Sequence, residues 1–280
     1  MHPTDLLAGV RVVTIAQNLP GPLAAARLRQ AGARVIKIEP PDGDPFLSLS
    51  PAWHAEMHAG IPIERLDLKA ESGQSRLSAL LGDADVFITS QRPSALARLG
   101  LDPDTLRSRV PQLRILRIVG SVREPEQPGH DLTYQALSGL VGDVTPHTLS
   151  ADVMASERAF AGALALLRQP AGSVMDVGLV ESLEPLIASL RHGLTTPRGT
   201  LGGGAPRYRV YPARVGRVAV AALETHFERR LYVELDLPTG SDLSARFLER
   251  TSAEWEQWAR EHGHPIVAVR DGAWHSGETP

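Results

Sequence analysis

The sequence predicts an α/β protein: an open, Rossmann-like parallel-sheet domain over residues 1–195, and a smaller α+β domain over residues 196–280 joined to it by long linkers. Three observations carry this. Short β-branched runs alternate with Ala- and Leu-rich stretches of helical spacing from about residue 9 to residue 120, the order of strand–helix–strand units in a parallel sheet. The first of those runs is apolar almost throughout, as a buried strand is. Past residue 195 a Gly-, Thr- and Pro-rich stretch precedes a second set of strand and helix patterns.

Taken in order, residues 10–16 read as a strand, broken by Pro20-Gly21-Pro22. Residues 23–31 follow as a helix closed by Gly32. Residues 35–39 form a second strand, and residues 40–44 a loop rich in Pro, Asp and Gly. Residues 77–81 are helical, 85–89 a strand, 103–109 a helix with Pro103 in its first turn, and 115–119 a strand. After Gly120 the composition shifts. Residues 124–129 form a loop, and 131–140 a helix with Leu132, Ala136, Leu137 and Leu140 at helical spacing. A long Ala-rich helix covers 151–167, a strand 174–177 and a helix 181–190. Residues 195–206 read as a hinge, followed by a strand at 217–223 and helices at 227–235 and 253–261.

Composition excludes several chemistries. The 280 residues include no cysteine, so disulfides, thiolate metal sites, iron–sulfur clusters and thiol nucleophiles are out. A net charge of −3 argues against a bulk nucleic-acid binder. Of the 29 basic residues all but Lys37 and Lys69 are arginine, which hints at a GC-rich bacterial genome. Residues 1–5 lack the basic-then-apolar pattern of a leader, and no run of about 18 apolar residues occurs, so a cytoplasmic protein that avoids membranes is expected. No Walker-type loop is found, no His-x-x-x-His pair is read as standing on a helix, and no metal site is expected.

The first strand–helix turn invites a dinucleotide reading, with Glu39 ending the second strand about where a ribose-binding acid would stand, but the turn lacks G-x-G-x-x-G and offers only Gly21 between two prolines. Gly202-Gly203-Gly204 suits either close approach of a ligand or a bend in a linker, and local composition favours the linker. Gly129-His130-Asp131-Leu132-Thr133-Tyr134 is more specific. Asp131 reads as the N-cap of the following helix. His130 then projects beside a helix start, where unpaired amides and the dipole favour an anion. A histidine beside such a place is a plausible proton-transfer pair, though a surface histidine before a capped helix is commoner.

Motif order adds a resemblance. The string 7–13 (Leu-Ala-Gly-Val-Arg-Val-Val), then 21–25 (Gly-Pro-Leu-Ala-Ala), then 32–45 with Lys37, Glu39 and Asp44, resembles the opening of the class III CoA-transferase family. So do Leu66-Asp67-Leu68-Lys69, Ala84-Asp85-Val86-Phe87-Ile88 and residues 92–101. Within it, Gly129-His130-Asp131 with Tyr134, and residues 203–224 ending in Glu224, are similar to the α-methylacyl-CoA racemase branch. Asp152 sits where the family places an aspartate that is a nucleophile in transferases and a base in racemases. The sequence departs from the family pattern at residues 60–65 and 120–124, in the residues after Asp152, and in a shorter C-terminal region.

The resemblance implies an acyl-CoA racemase or epimerase, moving a proton at the α-carbon of a 2-methyl-branched thioester. His130 and Asp152 would be the exchanging acid and base, Glu224 would orient His130, and amides near Asp131 would hold the enolate oxygen. Taken singly, Asp152 reads as a helix N-cap and Glu224 as a surface carboxylate; their order raises the functional reading. The same resemblance places Lys37 and Arg92 near the coenzyme A phosphates, Leu68 and Lys69 at the adenine edge, and Ala16 at the strand end lining that pocket. It implies no prosthetic group, coenzyme A only as part of the substrate, and an interlocked homodimer. The alternatives are a CoA-transferase using Asp152 as acyl-anhydride nucleophile, and a catalytically degenerate CoA-binding member.

Overall fold

The computed structural model describes residues 5–270 and 272; residues 1–4, 271 and 273–280, the ends of the expected leader-free start and second domain, lie outside the described residues. The chain divides into two compact units, Met1–Ile187 and Ala188–Pro280, where the sequence reading divides it at 195.

In the first unit a short 3-10 turn leads into β1 (Arg11–Thr14), α1 (Pro20–Gln30) and β2 (Arg34–Glu39). There follow α2 (Phe46–Leu49), α3 (Pro51–Met57), β3 (Ile63–Arg65), α4 (Glu71–Gly82) and β4 (Val86–Thr89). Next come α5 (Pro93–Arg98), α6 (Pro103–Arg109), β5 (Arg114–Val119), α7 (Asp131–Leu137), α8 (Ser150–Leu166), β6 (Val174–Gly178) and α9 (Leu179–Ser182). The division between units falls within α10 (Glu184–Arg191). The strand order is β3-β2-β1-β4-β5-β6, with every pairing parallel. This is the doubly wound order, and its switch point lies between β1 and β4.

Both faces of the sheet are buried, which is why its strands read as apolar runs. Val12, Val86, Ile88, Leu116 and Ile118 point to one core, and Val13, Phe87 and Ile115 to the other. The alternation is the period of two expected of strands. The first face is covered by α1 and α8. Ala151, Ala155, Ala159 and Ala163 recur every fourth residue on α8, all fully buried, and a stripe of methyl groups lets the helix lie close to α1 and the sheet. Gly162 extends the same logic, since a Cβ there would meet Met175 Sδ at 2.9 Å and Leu116 Cδ1 at 3.3 Å. The second face is covered by α4, α5 and α6 through Leu77, Leu81, Leu96 and Leu106.

The stretch at 181–190 expected as one helix is two, because Pro185 lacks an amide hydrogen and its ring crowds the carbonyl four residues back. β3 and α3 went unread, and with α3 the pair His54 and His58, four residues apart in its last turn and C-cap, which overturns the expectation that no such pair stands on a helix. β3 is a three-residue edge strand following Pro62, too short for a periodicity signal.

In the second unit β7 (Tyr208–Pro212), β8 (Arg217–Ala221) and β9 (Ile266–Ala268) form an antiparallel sheet with α11 (Thr225–Glu234), α12 (Ser244–Phe247) and α13 (Ser252–His262). Its core is aromatic: Phe247 stacks on Tyr211 at 5.1 Å and meets Trp255 edge-on at 5.1 Å. The expected hinge is ordered backbone. Gly204 and Leu201 donate to the carbonyls of Gly199 and Leu194 at 3.0 and 2.8 Å, and a Cβ on Gly202 or Gly204 would collide with the carbonyls of Thr196 or Arg198. The glycines there serve close packing of the chain on itself.

Candidate functional site

β1 and β4 end alike. Thr14 and Thr89 are fully buried, and each hydroxyl accepts the amide two residues on, from Ala16 and Gln91, both at 3.1 Å. Such turns swing the chain away from the sheet just past its carboxyl edge. The amide of Gln17 then donates to Ser90 Oγ at 3.0 Å, tying the two turns together at the switch point. Clefts in open parallel sheets form there, and two are found. One has a volume of about 290 Å³ and the other about 230 Å³, and both include Gln17 and Gln91 in their walls. Neither glutamine was singled out from the sequence; the signal was their place just after the strand ends.

The smaller cleft has Leu68 and Lys69 in its wall beside Leu66, Ile38 and Leu99. Lys69 is exposed and makes no ion pair among the described residues. Ala16 is fully buried beneath the edge, between the two cleft residues Ile15 and Gln17. It packs where Gly21 opens α1, and any Cβ on Gly21 would run into the Ala16 methyl. That explains the glycine between prolines.

Lys37 is placed elsewhere. It is 0% exposed and lines neither cleft. Its ammonium lies 2.5 Å from Asp44 Oδ2, 3.2 Å from Glu39 Oε1 and 3.0 Å from His58 Nε2, three acceptors for three N–H groups. His58 Nδ1 lies 2.7 Å from the His54 carbonyl and so carries the proton, leaving Nε2 to accept from Lys37. Burial, and then the Lys37 charge, push the His58 pKa down. His54 Nε2 stands 3.1 Å from Glu39 Oε1. Glu39, His54 and His58 bring possible ligand atoms within 4.8 Å of one another, but the lysine ammonium already sits among them. The free oxygen of Asp44 accepts the amides of Asn18 and Phe46 at 3.0 and 2.9 Å, so the cluster pins the β1–α1 turn to the loop after β2.

The larger cleft gathers Arg92, His130, Tyr134 and Asp152 from three segments. Arg92 precedes α5, is exposed and makes no ion pair among the described residues. The loop from Gly120 to Gly129 is fixed at both ends. Glu181 accepts from Ser121 Oγ at 2.8 Å and from the Val122 amide at 3.1 Å, and Glu126 accepts from the Ser94 amide and hydroxyl at 2.7 and 2.8 Å. The backbones of Gly120 and Gly129 lie so close to the Tyr134 ring that a Cβ on either would strike it.

His130, not Asp131, is the N-cap of α7. The Thr133 hydroxyl donates to the His130 carbonyl at 2.8 Å and accepts its amide at 3.1 Å, so the imidazole is left exposed in the cleft. Asp131 instead caps the next helix. Its Oδ1 accepts the amides of Ala151 and Asp152 at 2.8 and 3.0 Å, in the first turn of α8, where a negative charge is favourable. Those two amides are therefore engaged by Asp131. A local reading gives an aspartate to the helix beside it and cannot see a helix twenty residues on. Asp152 is the third residue of α8, half-buried, and not its N-cap, which is Leu149.

Burial, and then the charge of Asp131, raise the Asp152 carboxyl to about 7. The ordinary aspartate value is about 3.9. The folded form thus binds the proton more tightly than the unfolded chain. That contribution to stability is complete below about pH 4 and is lost as pH rises through 7. Asp152→Asn cannot ionise, so its stability relative to the native protein should climb between pH 5 and pH 8. Urea unfolding at the two pH values checks this, and a relative stability that is flat or falls over this range would contradict it.

Glu224 stands in the second unit, exposed, immediately before α11, where its carbonyl accepts the Glu228 amide at 2.9 Å. Of the residues singled out from sequence, the first unit brings His130, Asp152 and Arg92 into one cleft and Leu68 and Lys69 into the other. No helix among the described residues is long and apolar enough to cross a membrane.

Comparison with known proteins agrees with this architecture. The chain is 28% identical over 295 residues to alpha-methylacyl-CoA racemase of Mus musculus, covering 96% of this chain and 74% of that protein. It is 29% identical over 250 residues to (R)-2-hydroxy-4-methylpentanoate CoA-transferase of Clostridioides difficile, covering 78% of this chain and 62% of the relative. A crystal structure of a CAIB/BAIF family protein from Brucella suis superposes with a TM-score of 0.77 at 22% identity, over 96% of this chain and 85% of that one. The model of CoA-transferase family III matches residues 7–273. The chain belongs to CoA-transferase family III, an enzyme superfamily with both racemase and CoA-transferase members.

Proposed function

We propose that this protein is an acyl-CoA racemase or epimerase that moves a proton between the two faces of the α-carbon of a 2-methyl-branched thioester. One observation carries the proposal: His130 and Asp152 line the same cleft, and the Asp152 carboxyl is held at about 7. A carboxyl near neutrality gives and takes a proton with similar ease, which is what a two-base mechanism asks of it. In that mechanism one group removes the α-proton, an enolate forms, and the other group returns a proton to the opposite face. The handedness of the substrate decides which group acts first. We place coenzyme A along the carboxyl edge of the sheet, with Arg92 and Lys69 as the cations facing it, Leu68 against the adenine, and no prosthetic group. The homodimer implied by the resemblance remains part of the proposal. Glu224 is assigned no step.

The test is incubation of a 2-methylacyl-CoA in heavy water. Deuterium should enter the α-position, and both epimers should accumulate from either one. Absence of exchange across pH 6–9 would rule the mechanism out.

A second reading is CoA transfer, with Asp152 attacking the thioester carbonyl to form an anhydride and release the CoA thiolate. It is favoured by the half-ionised state of Asp152 at neutrality, which leaves a nucleophilic fraction. Hydroxylamine trapping of Asp152 during turnover, without α-exchange, would select it.

A further inference from the structure

Gln135 lines neither cleft and is 2% exposed, yet it sits where the segments bearing His130 and Asp152 are joined. Its Nε2 donates to Asp131 Oδ2 at 2.5 Å and to the Thr148 carbonyl at 2.8 Å, so both hydrogens of one amide are spent. The other oxygen of Asp131 holds the first-turn amides of α8 at Ala151 and Asp152. A continuous chain of bonds therefore runs from the segment before α8, through Gln135 and Asp131, to the backbone of Asp152. Asp131 directly follows His130 in sequence.

We propose that Gln135 is a positioning residue. By fixing the rotation of the buried Asp131 carboxylate it sets the distance between the His130 segment and the first turn of α8, and so holds the two proton-transferring groups at the spacing they need. The physical reason is the cost of an unpaired buried acceptor. Asp131 is 5% exposed, and without the Gln135 amide its Oδ2 loses the donor at 2.5 Å. A buried carboxylate oxygen without a donor is costly, so the group turns toward another donor or takes up a proton. Either change loosens its hold on the α8 amides. Errors of about 1 Å in the placement of catalytic groups cost on the order of 100-fold in rate.

The kinetic consequence rests on the two-base reading above, whereas the backbone consequence does not, and the experiment separates them. In the full chain, Gln135→Met keeps the length of the side chain and removes both donors. Amide hydrogen exchange followed by NMR should show protection at Ala151 and Asp152 falling at least about tenfold, with Ala159 and Ala163 in the same helix unchanged. The kcat for α-proton exchange should fall about 10- to 100-fold, with KM within twofold, because Gln135 touches no cleft. Gln135→Lys, which restores a donor to Asp131, should recover both. Protection lost along the whole of α8 would make Gln135 a packing residue and overturn the proposal, as would unchanged protection at Ala151 and Asp152, or kcat within twofold of the native value. Should Gln135→Met fail to fold, Gln135→Leu, which likewise offers no donor to Asp131, must show the same two-residue loss. A native chain with no α-exchange at all refutes the racemase reading, and the amide measurement still decides the role of Gln135.

Discussion

Asp152→Asn and His130→Asn should each slow racemisation of a 2-methylacyl-CoA by roughly 10²–10⁴-fold, the usual worth of one general acid–base group, while sparing α-proton exchange with opposite epimers. A two-base site takes a proton from one face of the carbon and returns one to the other. Removing either base blocks the crossing. The surviving group still meets the α-proton of the epimer that faces it, and it exchanges that proton with solvent without inversion. Starting from each pure epimer in heavy water, the α-hydrogen signal should therefore disappear for one epimer with Asp152→Asn and for the other with His130→Asn. The fold should survive both changes, since His130 is exposed and Asp152 half-buried. If both variants lose exchange with both epimers, or if either still racemises at the native rate, the two-base assignment fails. A transferase would respond differently: Asp152→Asn would abolish acyl transfer and His130→Asn would leave it nearly intact, because an anhydride mechanism needs the carboxylate and not the imidazole.

Lys37→Met is expected to cost about 3–5 kcal/mol of stability, the penalty of leaving buried charges without their partner, whereas Lys69→Met should leave stability within about 0.5 kcal/mol. The two lysines are matched in sequence context and opposite in environment. Lys37 has no exposed surface and neutralises Asp44 and Glu39, whose carboxylates are themselves 0% and 1% exposed. Removing its charge strands both, and the hydrogen bond from Lys37 to His58 disappears with it. Lys69 is exposed on the smaller cleft, and its loss removes one cation from the proposed coenzyme path. Binding of coenzyme A by Lys69→Met should weaken about tenfold, or about 1.4 kcal/mol. Urea midpoints and calorimetric titration of both variants check the pair. A stable Lys37→Met that has lost binding, beside a Lys69→Met that binds normally, would reverse the assignment.

Much of the sheet is legible in residues 10–119, because strands buried on both faces advertise themselves as apolar runs and their helices as Ala- and Leu-rich stretches. The elements that went unread include α3 and β7, no shorter than others that were read, and the two shortest strands. β3 and β9 have three residues each, too few for a period to show, and they exist because neighbouring strands offer unpaired backbone. The cleft was legible in a different way. His130 and Asp152 stand out by motif order, while Gln135, Gln17 and Gln91 carry no motif and matter only through what they reach.

What the sequence determined by itself is the class of fold, the family, and which ionisable residues are available for chemistry. The fold class and the available residues follow from composition and periodicity, which are local properties, and the family from the resemblance of motifs kept in order along the chain. Only the tertiary structure decided how those residues are used. Lys37 looks like a phosphate-binding cation until β2, α3 and the loop at Asp44 close around it. Asp131 looks like the cap of its own helix until its carboxylate is seen on the amides of α8. Both outcomes turn on partners brought from elsewhere in the chain, from seven to twenty-one residues away. A buried charge or a helix terminus is satisfied by whichever group the packing delivers, and the sequence does not name that group.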